Sequence, residues 1–197
     1  MNTDPSELEL AYIYSSIGDI QSTIRAIDSK LGLLMVFLAL PITSLGLIYD
    51  TLFTLIKLNP AYGWRAIIVV YLIAFFFVWF ASFLAAFKAL TSIHNPAAHV
   101  RDLPDACGTY FCGGLFTFRI SDVFINRKTN KSRDTFDDVL GRFPSGIENL
   151  RKELVFEQMK LAYIRDLKIF RQNWAFFFAL GWLFLGFAGQ SVAIFCK

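Results

Sequence analysis

Apolar residues recur along the first part of the chain in alternating steps of three and four: Leu10, Ile13, Ile17, Ile20, Ile24, Ile27 and Leu31. That spacing is a heptad seam, and it predicts an amphipathic helix that must pack against another helix. Its start is written in Asp4-Pro5-Ser6-Glu7, with a carboxylate cap, a proline at the first helical position and a glutamate in the first turn. A second amphipathic helix is predicted from Ser145-Gly146-Ile147-Glu148, which reads as a capping box after Pro144. It carries Ile147, Leu150, Leu154, Leu161 and Ile164 on one stripe, interrupted by Glu157 and Lys168. The simplest arrangement pairs the two helices within one chain, and a seam between subunits is the alternative.

Elsewhere the pattern is continuous rather than periodic. A helix needs roughly 20 apolar residues to cross a hydrocarbon core about 30 Å thick. Residues 31–49, 66–87 and 174–196 meet that requirement without a single charge. The first of these carries Pro41 beside Thr43 and Ser44, where neighbouring groups can satisfy the carbonyl that proline frees. The thirty residues before it are acidic and polar, unlike a signal peptide, so this span is expected to stay in the mature protein. Arg25 and Lys30 precede it, only Lys57 and Arg65 lie between the first two spans, fourteen Lys and Arg fall between the second and third, and Lys197 alone follows. The positive-inside rule then places the amino terminus and the long loop in the cytoplasm and the carboxyl terminus outside, with Trp64 and Trp174 at the interfaces.

The expected layout has a cytoplasmic amphipathic helix at 1–30, spans at 31–49, 66–87 and 174–196, an external loop at 50–65 and a cytoplasmic sensing or assembly region at 88–173. The fold class is an all-α membrane protein of three transmembrane helices, with a cytoplasmic helical stalk and a small irregular or short β insertion. Span two is expected to run on to about Ile93 and stop at Asn95-Pro96. Residues 108–125, around Gly113-Gly114, are compatible with a hairpin or with a docked helix, and Thr135 with Asp138 marks a short helix through Val139 and Leu140. Composition agrees with the membrane reading: 55% hydrophobic, 17% aromatic, 18% charged, with 22 Phe and a mean hydropathy of +0.49. These values exclude an ordinary soluble enzyme. Three cysteines, Cys107, Cys112 and Cys196, form no disulfide framework.

Candidate chemistry is sparse. There is no nucleophile elbow, no phosphate loop and no His-Glu-x-x-His helix, so the chain reads as a non-enzyme without cofactor. His94, His99, Cys107 and Cys112 do not have the spacing of a zinc site, and no metal is expected. Arg119 and the basic run Arg127, Lys128, Lys131 and Arg133 are the candidate anion site, beside Tyr110, Phe111, Phe116 and Phe118, which can stack a base. The same basic run also serves as a positive-inside determinant or a contact for anionic lipid headgroups. Asp28 and Lys30 stand at the junction of stalk and membrane. Ala81, Ala85 and Ala89 on span two, with Gly181, Gly186 and Gly189 on span three, offer small-residue faces for helix contact. Gln190 and Ser191 lie near the outer interface, and the absence of charge within the spans argues against a proton-coupled transporter.

Several of these segments resemble one known family. Ile27-Asp28-Ser29-Lys30-Leu31-Gly32 is similar to the Asp-x-Lys signature with which Pycsar-type bacterial transmembrane effectors enter their first span. Residues 154–162, continuing through Arg165, Lys168 and Arg171, resemble the helix those proteins carry before their last span. The aromatic run from Tyr110 to Ile120 and the acidic segment from Asp134 to Leu140 occupy matching places. The sequence departs from the pattern at Leu31, where a small residue is expected, and at Pro41. The resemblance implies a multi-pass protein of the bacterial inner membrane that responds to cCMP or cUMP from a partner cyclase during phage infection. Such a protein would then impair the membrane as a homo-oligomer, with no nucleic-acid partner. Nucleotide bound near Arg119 and residues 127–133 would repack the stalk and let the alanine and glycine faces of several copies associate. The competing expectations are a membrane scaffold that recruits a cytosolic partner through the heptad helix, and a channel subunit with no soluble trigger.

Overall fold

A computed structural model describes residues 5–43, 62–91, 96–101 and 132–195. Every described element is helical: α1 (Pro5–Thr43), α2 (Tyr62–Leu90), a short 3-10 turn (Pro96–His99), α3 (Phe136–Gly141) and α4 (Ile147–Phe195). The segment expected to hold a hairpin or docked helix, 108–125, lies outside the described residues. Two helices, α2 and α4, are long and apolar enough to cross a membrane. The last six residues of the expected first span, 44–49, also lie outside the described residues, and α1 continues through Pro41 to Thr43.

The chain divides into two compact units, one from Met1–Ser22 with Asn95–Ile164 and one from Thr23–His94 with Arg165–Lys197. In the first, polar unit, the predicted seam is buried at Ile13, Ile17 and Ile20. The helix facing it is α4, since Arg151 pairs with Glu9 at 2.9 Å and the Gln158 amide donates to the Ser16 hydroxyl at 2.7 Å. Each contact moves one heptad along both helices, so the two run parallel. The stripe on α4 is buried at Leu154 and Leu161, and Glu157, which interrupts it in sequence, is buried with them at 2% exposure. Ile147 instead lies open to solvent.

The start of α4 differs from expectation. Gly146 has φ +89°, and its carbonyl accepts the Leu150 N–H at 3.1 Å. The helix therefore begins one residue later than a Ser145 cap requires, with a left-handed turn that glycine adopts without strain. The Ser145 carbonyl accepts the Asn149 amide at 2.9 Å. The short helix α3 follows the sequence closely. The Asp138 N–H donates to the Thr135 hydroxyl and the Thr135 N–H donates back to the Asp138 carboxylate, a complete capping box. Those bonds hold the Asp138 carboxyl below the usual carboxylate range.

The second, apolar unit packs α1, α2 and α4 side by side. Asp28 pairs with Lys168, and Phe37 meets Trp182 edge to face, so α1 and α4 are parallel here as well. Contacts between α2 and α4 run the other way: the Arg171 guanidinium donates to the Lys88 carbonyl, the Ser82 hydroxyl to Ala175 and the Tyr71 hydroxyl to Leu185. The core sets leucines of α1, Leu31, Leu34 and Leu38, against Ala86 and Ala89 of α2 and Ala175 and Ala179 of α4. The helix α2 stops at Leu90, short of the expected Ile93, and its final turn is closed by the Arg171 and Thr91 side chains donating to the Lys88 carbonyl. Around this core the surface is apolar, with Leu33 and Val36 of α1, Phe77 of α2, and Phe184 and Phe187 of α4 all exposed. Exposed apolar surface of that character marks a face of interaction rather than one suited to water.

The small residues are spent within the chain. A Cβ at Gly181 would stand 3.6 Å from Val78 and one at Gly186 3.6 Å from Phe75, whereas one at Gly189 would overlap the Tyr71 hydroxyl. On α2 the closest-packed face runs through Ser82, Ala86 and Ala89, while Ala81 and Ala85 are only half-buried. Of the expected ladder, Ala89 stands fully inside the core and Ala85 packs against it.

Two predictions follow from this packing. Gly189→Ala should lower unfolding free energy in detergent by about 1–3 kcal/mol through overpacking, and adding Tyr71→Phe should recover part of the loss. Gly181→Ala, which has room, should change it by less than about 1 kcal/mol. Asp28→Ala should cost on the order of 2 kcal/mol, below the range for a fully buried pair because water reaches Asp28. Lys168→Met should cost less, since it leaves a hydrated carboxylate rather than a stranded ammonium. Equal losses for Asp28→Ala and Lys168→Met would contradict that asymmetry.

Candidate functional site

Away from its buried stripe, α4 carries a second line of residues at steps of three and four: Glu148, Arg151 and Lys152, Val155 and Phe156, then Met159. Helical geometry places them on one face. With Val100 and Arg101 they wall an open cleft of about 180 Å³ in the polar unit. Val100 and Arg101, which directly follow the turn Pro96–His99, form the far wall, and the Val100 N–H closes that turn by donating to Ala97 at 3.2 Å. The His99 ring stacks on Tyr163 with centroids 4.3 Å apart and 15° between planes, which pins the turn to α4.

The cleft is cationic above an apolar strip. Arg151 is committed to Glu9 at 2.9 Å and touches Glu148 at 3.8 Å. Arg101 and Lys152 are exposed and form no ion pair among the described residues. Between them Val155 is 38% and Met159 47% exposed, a high exposure for apolar side chains on a helix that buries its other face. Phe156 closes the floor at 4% exposure, and the Lys160 ammonium lies over its ring at 4.9 Å. A ligand satisfying these walls carries an anion toward Arg101 and Lys152 and a flat or apolar group toward Val155 and Met159.

The residues expected from sequence are distributed differently. Arg119, Arg127, Lys128 and Lys131 lie outside the described residues, as do Tyr110, Phe111, Phe116, Phe118, His94, Cys107 and Cys112. Arg133 is exposed ahead of α3 and is not among the cleft residues. Asp28 pairs with Lys168 of α4, while Lys30 is exposed. Among the described residues no three His, Cys, Asp or Glu side chains converge as metal ligands. Sequence spacing shows Arg151 and Lys152 as neighbours at the start of a helix. It gives no sign that Arg101, separated from them by the whole intervening segment, joins the same cleft.

Next to Phe156 along α4 is a buried carboxylate, Glu157. Burial pushes the Glu157 carboxyl above its ordinary value, the Lys160 ammonium draws it back, and the Glu153 carboxylate one turn earlier adds to the rise. Glu157 and Lys160 are paired, with side chains 3% and 11% exposed. Compared with protein-family models, with curated proteins and with solved structures, the chain matches none.

A raised carboxyl means the folded chain holds its proton to higher pH than the unfolded chain does. The Glu157 contribution to stability is then fully present below the unfolded carboxylate value and is lost as pH rises through the folded one. Thermal melts at pH 4 to 8 should therefore show the wild type losing stability relative to Glu157→Gln as pH increases. A difference that stays constant with pH would show that Glu157 titrates as it does in water.

Proposed function

We propose that the chain is a three-span protein of the bacterial inner membrane, with its polar unit in the cytoplasm, that impairs the membrane when a cyclic pyrimidine nucleotide binds that unit. The observation that carries the reading is the continuity of two helices. Both α1, of 39 residues, and α4, of 49, begin in the polar unit and end in the apolar one without a break. Helices that share residues between a polar, cleft-bearing unit and an apolar, lipid-suited one are what a ligand-triggered membrane effector requires. Support for the third span comes from Leu33, Val36, Leu40 and Ile42 of α1, which are exposed in the same unit as the lipid-suited faces of α2 and α4. The basic residues between the second and third apolar stretches support the orientation. Cyclic cCMP or cUMP as trigger, a partner cyclase as its source and homo-oligomeric action rest on the resemblance to Pycsar-type effectors.

The scaffold reading asks for a heptad face open to a cytosolic partner, and Ile13, Ile17 and Ile20 are already buried within the chain. The effector reading is the one with more support. Expression in bacteria with a membrane-potential dye tests it: cCMP or cUMP should depolarise the cells, and cAMP and cGMP should not. Healthy, polarised cells under all four nucleotides at high expression would remove the effector reading.

A further inference from the structure

We infer that the cleft between Val100–Arg101 and α4 binds a soluble organic phosphate, with Arg101 and Lys152 holding the phosphate and Val155 and Met159 covering a flat base-sized group. The inference deepens the effector reading by giving its ligand a site, and it rests on that reading for the link to the membrane. The chemistry of the cleft comes from its own walls and requires no cyclic phosphate.

Four features converge there. Two cations, Arg101 and Lys152, stand exposed with no counter-charge among the described residues, although acidic partners occupy neighbouring Arg151. Phosphate oxygens accept from a guanidinium fork and from an ammonium with charge-assisted hydrogen bonds, about twice as strong as neutral ones. Val155 and Met159 leave apolar surface in a concavity rather than on a convex face, which is where ligands bury their rings. Met159 is unbranched and polarizable, suited to lie against a ring it does not match in shape. Finally, the stacking of His99 on Tyr163 fixes to α4 the turn that immediately precedes Val100 and Arg101. Glu148, the carboxylate on the rim, faces any phosphate with repulsion unless it stays with Arg151, and it is an acceptor for ribose O–H or base N–H groups.

A phosphate beside an apolar group also describes a phospholipid, so the test separates the two sources. Full-length protein in nanodiscs of phosphatidylcholine alone is titrated with uridine monophosphate, with inorganic phosphate and with uridine. The nucleotide should bind saturably and more tightly than either of its parts. Arg101→Glu with Lys152→Glu should weaken it by about a hundredfold, roughly tenfold for each charge-assisted contact. The milder pair Arg101→Gln and Lys152→Gln should weaken it less, and Arg25→Gln, which removes an exposed cation of α1, should not. Thermal melts of each variant show that the fold is intact. No saturable nucleotide binding, or binding indifferent to both double variants, overturns the assignment. Loss of binding when phosphatidylglycerol is introduced assigns the cleft to lipid headgroups and overturns it as well. The dye assay distinguishes the two readings. Depolarisation that survives Arg101→Glu with Lys152→Glu removes the cleft and leaves the effector, whereas nucleotide binding at the cleft without depolarisation leaves the cleft and removes the effector.

Discussion

One buried stripe on α1, from Ile13 through Ile27, Leu31 and Leu34 to Leu38, sets the arrangement of everything around it. A stripe of that length has to pack against other helices whatever surrounds it, and its surroundings change part of the way along. Where the outer faces are polar, burying Ile13, Ile17 and Ile20 removes apolar surface from water, worth about 25 cal/mol per Å². Where the outer faces are apolar, the proposed membrane setting would remove that gain, because lipid tails are as apolar as leucine. Close approach and hydrogen bonds must hold the apolar unit instead. Its sequence supplies both: alanines opposite the α1 leucines, Ser82 donating to Ala175, Trp79 donating to Leu38 at 2.9 Å and Tyr71 donating to Leu185.

Apolar seams alone slip easily by one heptad. The matching stripe on α4 carries charges at seam positions, Glu157 in the polar unit and Lys168 in the apolar one, each buried and each paired. Shifting α4 along α1 by a turn would separate Lys168 from Asp28 and leave an ammonium without its carboxylate. Isolated buried charges are expensive, so the pair restricts register more than it adds stability. The contacts of Glu9 with Arg151 and Ser16 with Gln158, one heptad apart on both helices, show the register that results in the polar unit.

Much of this was legible from residue spacing. The heptad seam, the parallel partner in the later amphipathic helix and the Thr135–Asp138 capping box all depend on local periodicity or on groups three residues apart. Glu157 and Lys168 look like breaks in a stripe when only the residue type is considered. They become part of it once their counter-charges are placed, and the Asp28 partner is invisible to any local pattern. Small residues occupy several faces of α2, Ala81, Ala85, Ala86 and Ala89 among them, and the neighbours decide which are used: Ala86 and Ala89 lie in the core and Ala85 packs against it. Ser145 failed as a cap because Gly146 offered a left-handed turn that a Ser-x-x-Glu pattern cannot foresee. The cleft was out of reach for the same reason as the ion pair: Arg101 meets Arg151 and Lys152 only through the tertiary fold.

The packing also changes how the proposed effector would act. Alanine and glycine faces that sequence offered for association between copies are occupied: Ala89 is buried, Gly181 and Gly186 lie against Val78 and Phe75, and Gly189 lies against Tyr71. Copies can then associate in two ways, through the exposed Phe77, Phe184 and Phe187 surfaces or by releasing these faces from one another. The second route gives a ligand more to act on. Both α1 and α4 have residues in each unit. A ligand drives such a release only to the extent that it binds one pairing more tightly than the other. A cleft walled on one side by α4 and on the other by Val100 and Arg101, which follow a turn pinned to Tyr163 of the same helix, does not by itself sense the α1 partner. Arg151 supplies that connection, since it lines the cleft and pairs with Glu9 of α1, so an anion that drew Arg151 toward itself would remove one exposed contact with α1 and leave the buried stripe in place.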